Sequence, residues 1–563
     1  MFSQSNTSPV TYRCADRLAQ AFVHHGVDTV FALSGNQIMP LFDAFNETPI
    51  RLVHTRHEAA AVYMAEAYAR VSGRLGIALV TAGPGFGNAL GALYSASMSE
   101  APVVLISGDA PLSQDGSGAF QQLDQVKTAS PLVKSSFRLS AGEDPARVFA
   151  GAAWRAQNGI PGPVHIALPC DVVDTRMEFP SLPALDDVSA HDVDDRESLT
   201  ADQIVQIKEL LAAAKRPIIL AGPHLFRAAR QHKQTALSEA LCTPVVVLDS
   251  PRGLRDPALG AIQEVLLCAD CVLYLGKPVD FTSGFGYTDV MPADTIMVVA
   301  GNQAMLDRAE TLIKDRLAFS ATGNPAALAD KFIHAPLQSD PAYTINSVRI
   351  EWNKRVHQAL HHRQLAQRDA DALISRQIVE TVERVLRQYP QTILVCDGGE
   401  FGQWAQGFTH SNNRLTNGPS GAIGASLPYA IGAKIACPDA PVIAMMGDGT
   451  AGFHLAEFET AARQKLAITV LIGNDSRWNA EHLIQLTRYG VDRARDCELS
   501  ADVHYETVAQ GLGCEGVLVS VPNELHGVLC HSLQSPTTTC INVMMPGAAA
   551  PQYTALNLIN THH

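Results

Sequence analysis

The chain has 563 residues, 47% of them apolar and 17% charged, so it is long enough for several cores and far from a disordered composition. Forty-two Lys and Arg face fifty-six Asp and Glu, a formal charge of −14 with no basic stripe, which argues against nucleic acid and anionic membrane as partners. No apolar stretch approaches the roughly 18 residues of a membrane span, and the opening MFSQSNTSPVTYRCADRL lacks a secretory pattern. The eleven scattered cysteines suit reduced thiols in a cytoplasm.

From the N-terminus, apolar runs at 27–33, 76–81, 102–107 and 163–168 read as buried strands separated by helical stretches. Between the first two, His54-Thr55-Arg56-His57-Glu58 opens a helix whose apolar face is Ala61, Ala65 and Tyr68. On its own, Glu58 is an acid matched to the helix dipole. The acidic, Pro-containing stretch 180–199 breaks the pattern, and strands resume at 217–221, 244–248, 271–276 and 295–300. Cys268 and Cys271 have CxxC spacing but no second ligand pair nearby, so they read as core packing. A second break covers 334–343, and the last strands fall at 392–396, 441–446, 467–472 and 539–545. Continuous apolar strands alternating with helices predict an α/β protein of three doubly wound parallel-sheet domains, at 1–180, 198–335 and 370–545.

The C-terminal third carries the chemistry. The strand at 441–446 runs into Gly447-Asp448-Gly449-Thr450, with a helix expected near Phe453. Such a turn sets backbone N–H groups and the positive end of a helix at one point, which suits a diphosphate. Asp448 there can hold a hard cation through oxygen. The strand at 467–472 ends in Gly473-Asn474-Asp475-Ser476-Arg477-Trp478, placing Asp475 27 residues after Asp448 at the same sheet edge.

This spacing resembles the cofactor motif of thiamine-diphosphate enzymes of the acetolactate synthase and pyruvate decarboxylase group. The resemblance implies that Asp448, Asp475 and the backbone carbonyl of Arg477 hold Mg²⁺, with Asp475 standing where the family more often shows Asn. Cys396–Phe401 is similar to the family loop whose amides touch the diphosphate, which assigns Gly399, Glu400 and Phe401 to the cofactor beside Gly447, Gly449 and Thr450. Gly418–Gly424 resembles the loop beneath the thiazolium ring, with Ile423 bending the cofactor and the Gly421 carbonyl accepting from its aminopyrimidine.

Toward the N-terminus, Phe31–Pro40 and Thr81–Asn88 are similar to the pyrimidine-binding domain of acetolactate synthases. Asn88 is thereby counted among the cofactor residues. Glu58 matches the family glutamate that hydrogen-bonds N1′ and promotes removal of the C2 proton. Gln121, in Ala119–Gln122, matches a glutamine near C2, and Gln37 falls where some carboligases carry a catalytic His. Glu481, six residues beyond Asp475, matches a catalytic Glu of the decarboxylases, while Ile484 replaces the Trp by which acetolactate synthases select their acceptor. Gly276–Phe281 resembles a segment of 2-hydroxyacyl-CoA lyases, whose relatives place FAD or ADP in the middle domain. The implied activity is decarboxylation or carboligation of 2-keto acids. The alternatives are cleavage of a 2-hydroxyacyl-CoA or an acyloin, and a catalytically inactive cofactor-binding regulatory subunit. The implied assembly is a homodimer or homotetramer with active sites between subunits.

Overall fold

In the computed structural model, three parallel sheets are described over residues 11–179, 182, 199–225, 231–337 and 345–556. By contact the chain forms two compact units, one of residues 1–69 and 74–194, the other of residues 70–73 and 195–563. The expected break at 180–199 lies almost wholly outside the described residues, as do residues 338–343 of the second break. No helix among the described residues is long and apolar enough to cross a membrane.

In the first unit the strand order is Arg51–His54, Thr29–Ala32, Gly76–Val80, Val103–Asp109, Val164–Pro169 and Ser135–Arg138, all parallel. The central strands are Val-, Ile- and Leu-rich and buried along their length, as strands covered on both faces must be. The chain reverses direction across the sheet between Thr29–Ala32 and Gly76–Val80. Helices on opposite faces diverge at such a reversal and leave a crevice at the carboxyl ends of the strands. Helix Glu58–Ser72 is buried on every side from Ala60 to Arg70, not on the single face its apolar spacing predicts.

The second unit holds two sheets. One runs Val245–Val247, Pro217–Ala221, Cys271–Leu275, Ile296–Gly301 and Leu317–Thr322. Its core extends past the expected boundary at 335. Helix Ser347–Leu360 packs Trp352, Val356 and Ala359 against it, and the Trp352 indole donates to the Pro217 carbonyl at 2.7 Å. The other sheet runs Asn413–Thr416, Ile393–Cys396, Val442–Gly447, Thr469–Asn474, Thr539–Met544 and Glu515–Val519. Its reversal falls between Ile393–Cys396 and Val442–Gly447. Arg414, on its edge strand, reaches Asp249 at 3.1 Å and Asp256 at 3.3 Å, fixing this sheet to the loop that follows Val245–Val247.

After Gly447 the chain turns at once into a single helical turn, Asp448–Ala451, and the longer helix begins only at Glu457. The helix expected near Phe453 is displaced because the intervening segment is used otherwise: the His454 Nδ1 lies 2.9 Å from the Gly424 carbonyl oxygen. All eleven cysteines are free, and Cys271 is buried at the start of its strand.

Candidate active site

The sequence-predicted residues fall into two groups, one in each unit. In the first unit Glu58, Asn88, Gln37 and Gln121 come together around the chain reversal of the sheet. The Asn88 side-chain amide donates to Glu58 Oε2 at 3.0 Å, so the carboxyl is nearly buried and held in one orientation. Thr81 donates to Gln37 Oε1 at 2.5 Å, and Gln37 Nε2 donates to Gln121 Oε1 at 2.8 Å. The relay leaves the Gln121 amide nitrogen as a donor at the end of the chain. Gln121 has φ of +59°, a left-handed conformation that costs a residue with a Cβ roughly 1–2 kcal/mol. Gly83 makes room for it, since a Cβ on Gly83 would stand 2.9 Å from that of Gln121. Thr81 was not legible as a site residue from the sequence; its position at the end of a central strand beside the GPG turn is the signal that marks it.

In the second unit a cavity of about 280 Å³ opens at the reversal of the C-terminal sheet. Gly399, Glu400, Phe401, Gly421, Ile423, Gly447, Asp448, Gly449, Thr450, Asp475, Arg477 and Glu481 all line it. Two of the expected loops are tied together by a residue outside the expected set. Asp397, fully buried, accepts the backbone N–H of Gly398 at 2.7 Å, Gly424 at 3.1 Å and Ser426 at 3.2 Å. Burial raises its pKa, and those three donors oppose the rise.

Asp448 is 2% exposed, and its Oδ2 is buried without a hydrogen-bond partner. Burial pushes the pKa of Asp448 up, and burial together with the Asp448 charge does the same for Asp475. Two desolvated carboxylates facing one another are costly unless a proton or a cation stands between them. The Asp475 loop pairs with the chain around Glu498 through Leu499 N–H to the Ser476 carbonyl and Trp478 N–H to the Cys497 carbonyl, each at 2.7 Å. The Arg477 carbonyl takes no part in those two bonds. Among the described residues no group of three or more His, Cys, Asp and Glu side chains could hold a metal ion. Two carboxylates would leave the remaining positions of an oxygen-liganded cation to carbonyls, water and ligand oxygens. Gly449 admits the Trp478 ring, whose Cε3 would lie 2.9 Å from a Cβ there.

The chain matches the model of the N-terminal thiamine pyrophosphate binding domain over residues 12–128 and that of the C-terminal thiamine pyrophosphate binding domain over residues 397–543. It is 31% identical to 2-hydroxyacyl-CoA lyase 2 of Bos taurus, covering 90% of this chain and 85% of the relative. The chain belongs to the thiamine pyrophosphate enzymes. It is also 28% identical to an acetolactate synthase large subunit of Mycobacterium tuberculosis, over 97% of this chain and 99% of that one. In fold it is similar to a thiamine diphosphate-dependent 4-hydroxybenzoylformate decarboxylase of Rhodococcus jostii RHA1, with a TM-score of 0.77 at 22% identity, covering 95% of this chain and all of the other.

The residues of the second unit fit that cofactor. The orphaned Asp448 oxygen, the paired Asp475 and a helical turn opening on the cavity form a donor set for a hard cation bridging to a diphosphate. Pro251 and Arg252, from the loop after Val245–Val247, also line the cavity, and nothing in the sequence of that loop marks them. In the middle domain, the segment likened to a nucleotide neighbour turns on itself. Lys277 Nζ lies 3.0 Å from Asp280 Oδ2, both side chains nearly buried, and Asp280 caps the short helix Phe281–Gly286.

Proposed function

We propose that the chain binds thiamine diphosphate through Mg²⁺ held by Asp448, Asp475 and the Arg477 carbonyl, and that it decarboxylates 2-keto acids, passing the acyl unit to a proton or to a second carbonyl. The pair Asp448 and Asp475 carries this reading, because it brings a buried carboxylate with one unpartnered oxygen and a second, half-buried carboxylate to the point where a helical turn offers N–H groups. When bound, the cofactor supplies a nucleophilic carbon that adds to a carbonyl and then accepts the electron pair left by CO₂ or an aldehyde. Glu58 holds and passes the proton of the aminopyrimidine N1′, and Asn88 keeps its carboxyl oriented. Gln37 and Gln121 present neutral donors and acceptors to the substrate carbonyl. Gly399 and Phe401 shape the diphosphate loop, and Ile423 gives the cavity an apolar wall. Glu481, exposed in the first turn of helix Asn479–Tyr489, lines the cavity, which supports a role for it in returning a proton to product. The proposed assembly is a homodimer or homotetramer.

A second reading, cleavage of 2-hydroxyacyl-CoA, is favoured by the 31% identity to a lyase of that name. One screen separates the two. Purified protein with thiamine diphosphate and Mg²⁺ is offered a panel of 2-keto acids and of 2-hydroxyacyl-CoAs, with CO₂ and aldehyde measured. CO₂ from the keto acids is the expected outcome; aldehyde from the thioesters alone would replace the first reading by the second.

A further inference from the structure

Glu400 stands in the first turn of helix Gly399–Phe408, in the wall of the cavity. Its Oε1 receives a long hydrogen bond, 3.5 Å, from Gln403 Nε2, the Ala550 backbone N–H lies close to the carboxyl, and Oε2 is buried with no hydrogen-bond partner. A carboxylate oxygen buried without a partner is costly, whereas a carboxylic acid in the same place has a proton to donate. The surroundings do not neutralise it. Asp448 and Asp475 line the same cavity, Glu481 approaches from helix Asn479–Tyr489, and Arg252 and Arg477 are the two cations of the lining. Burial raises the Glu400 pKa and the charge of Glu481 adds to the rise, against the Ala550 N–H and Arg252. A diphosphate entering this space brings further negative charge.

We propose that Glu400 works as a neutral acid, its carboxyl carrying a proton taken from solvent and donating it in a hydrogen bond to a diphosphate oxygen of the cofactor, so that cofactor and proton bind together. The proposal rests on the thiamine diphosphate reading above. It assigns Glu400 a side-chain role, where the loop as a whole offers only backbone amides. It also gives the site a way to admit an anion beside more carboxylates than guanidinium groups.

The test is the pH dependence of affinity. Full-length protein freed of cofactor is titrated calorimetrically with thiamine diphosphate at saturating Mg²⁺, from about pH 6 to pH 9, as wild type and as Glu400→Gln. Glutamine keeps an N–H donor and does not titrate. The expected result is equal affinity at the acid end. Above the pH at which Glu400 ionises, wild type then loses affinity relative to the variant by about tenfold per pH unit, the slope of one linked proton. Protonation of the diphosphate and of the Asp448 and Asp475 pair is common to both proteins and cancels in the ratio. Glu400→Asn serves as a second variant should the first not fold. Parallel profiles in wild type and variant overturn the proposal. Absence of any binding by wild type would instead overturn the cofactor reading on which it stands.

Discussion

Asp448 and Glu58 are single carboxyls whose work can be separated by what each is bonded to. Asp448 has an oxygen with no protein partner and a half-buried carboxylate opposite, and its proposed role is to meet a cation. Asp448→Ala is expected to lower thiamine diphosphate affinity by more than the about 10–100-fold seen when a partner outside the ligand set is lost. Calorimetric titration with Mg²⁺ present reads this directly, and unchanged affinity would remove Asp448 from the metal site. Glu58 has a fixed partner in Asn88, so its orientation is set before any ligand arrives. Glu58→Gln should bind cofactor nearly as well but slow hydrogen–deuterium exchange at the cofactor C2 by about 10²–10⁴-fold, the usual cost of losing a general acid–base group. Quenched-flow NMR measures that rate; an unaltered rate would leave Glu58 as a structural acid.

At the scale of elements, Asp397 is the joint between two loops that the sequence presents far apart. Asp397→Asn replaces one acceptor oxygen by an amide donor facing backbone N–H groups. The expected loss is about 1–3 kcal/mol, seen as a lower Tm together with weakened cofactor binding, since Gly398 and Gly424 would no longer be held to a common carboxylate. A fall in Tm without loss of binding would confine Asp397 to stability. The strands themselves show what was legible. Every interior strand of the three sheets was read from its apolar run, including Gly76–Val80, Val442–Gly447 and Thr469–Asn474. Five edge strands were not: Arg51–His54, Ser135–Arg138, Leu317–Thr322, Asn413–Thr416 and Glu515–Val519. An edge strand has one neighbour and is only partly covered, so segments such as Ser135–Arg138 and Asn413–Thr416 carry polar residues and lose the continuous apolar signature. The motifs were legible by their combination and spacing, since a glycine turn or an acid at a helix start is on its own an ordinary structural feature. Thr81, Asp397 and Arg252 were not, because their importance lies in contacts between segments distant in sequence.

For the molecule as a whole, each cluster of candidate residues lies at the carboxyl edge of its own sheet where the chain reverses, the place an α/β sheet leaves open. Such sheets bury their polar residues deeply, and this sets the response to acid. His165, in a central strand of the first unit, is fully buried with Ser107 and Ser136 hydroxyls each 2.8 Å from its ring nitrogens. Burial pushes its pKa down to about 3 and that of His25 in the same unit to about 4. In the window between these values and the unfolded value near 6.5, the unfolded chain binds protons that the folded chain refuses. Stability is therefore present above about pH 6.5 and is lost as the pH falls below it. His165→Gln removes one of these groups, so the drop in Tm between pH 7 and about pH 5 should be smaller than in wild type. An equal drop would show that His165 titrates freely in the folded protein.

The Trp478 ring that fills the space left by Gly449 has a further use. Of the four tryptophans, Trp352 and Trp404 are buried in cores, Trp154 lies in the first unit, and Trp478 alone lines the cavity. Its indole faces the turn that carries Asp448 and makes an edge contact with Phe453 at 6.2 Å. The cavity thus contains its own optical reporter: a ligand settling there alters the polarity around one emitting ring, and the other three do not line the cavity. Occupancy can be followed in the unmodified chain by emission, and replacing Trp478 by phenylalanine would silence the signal while leaving the carboxylates in place.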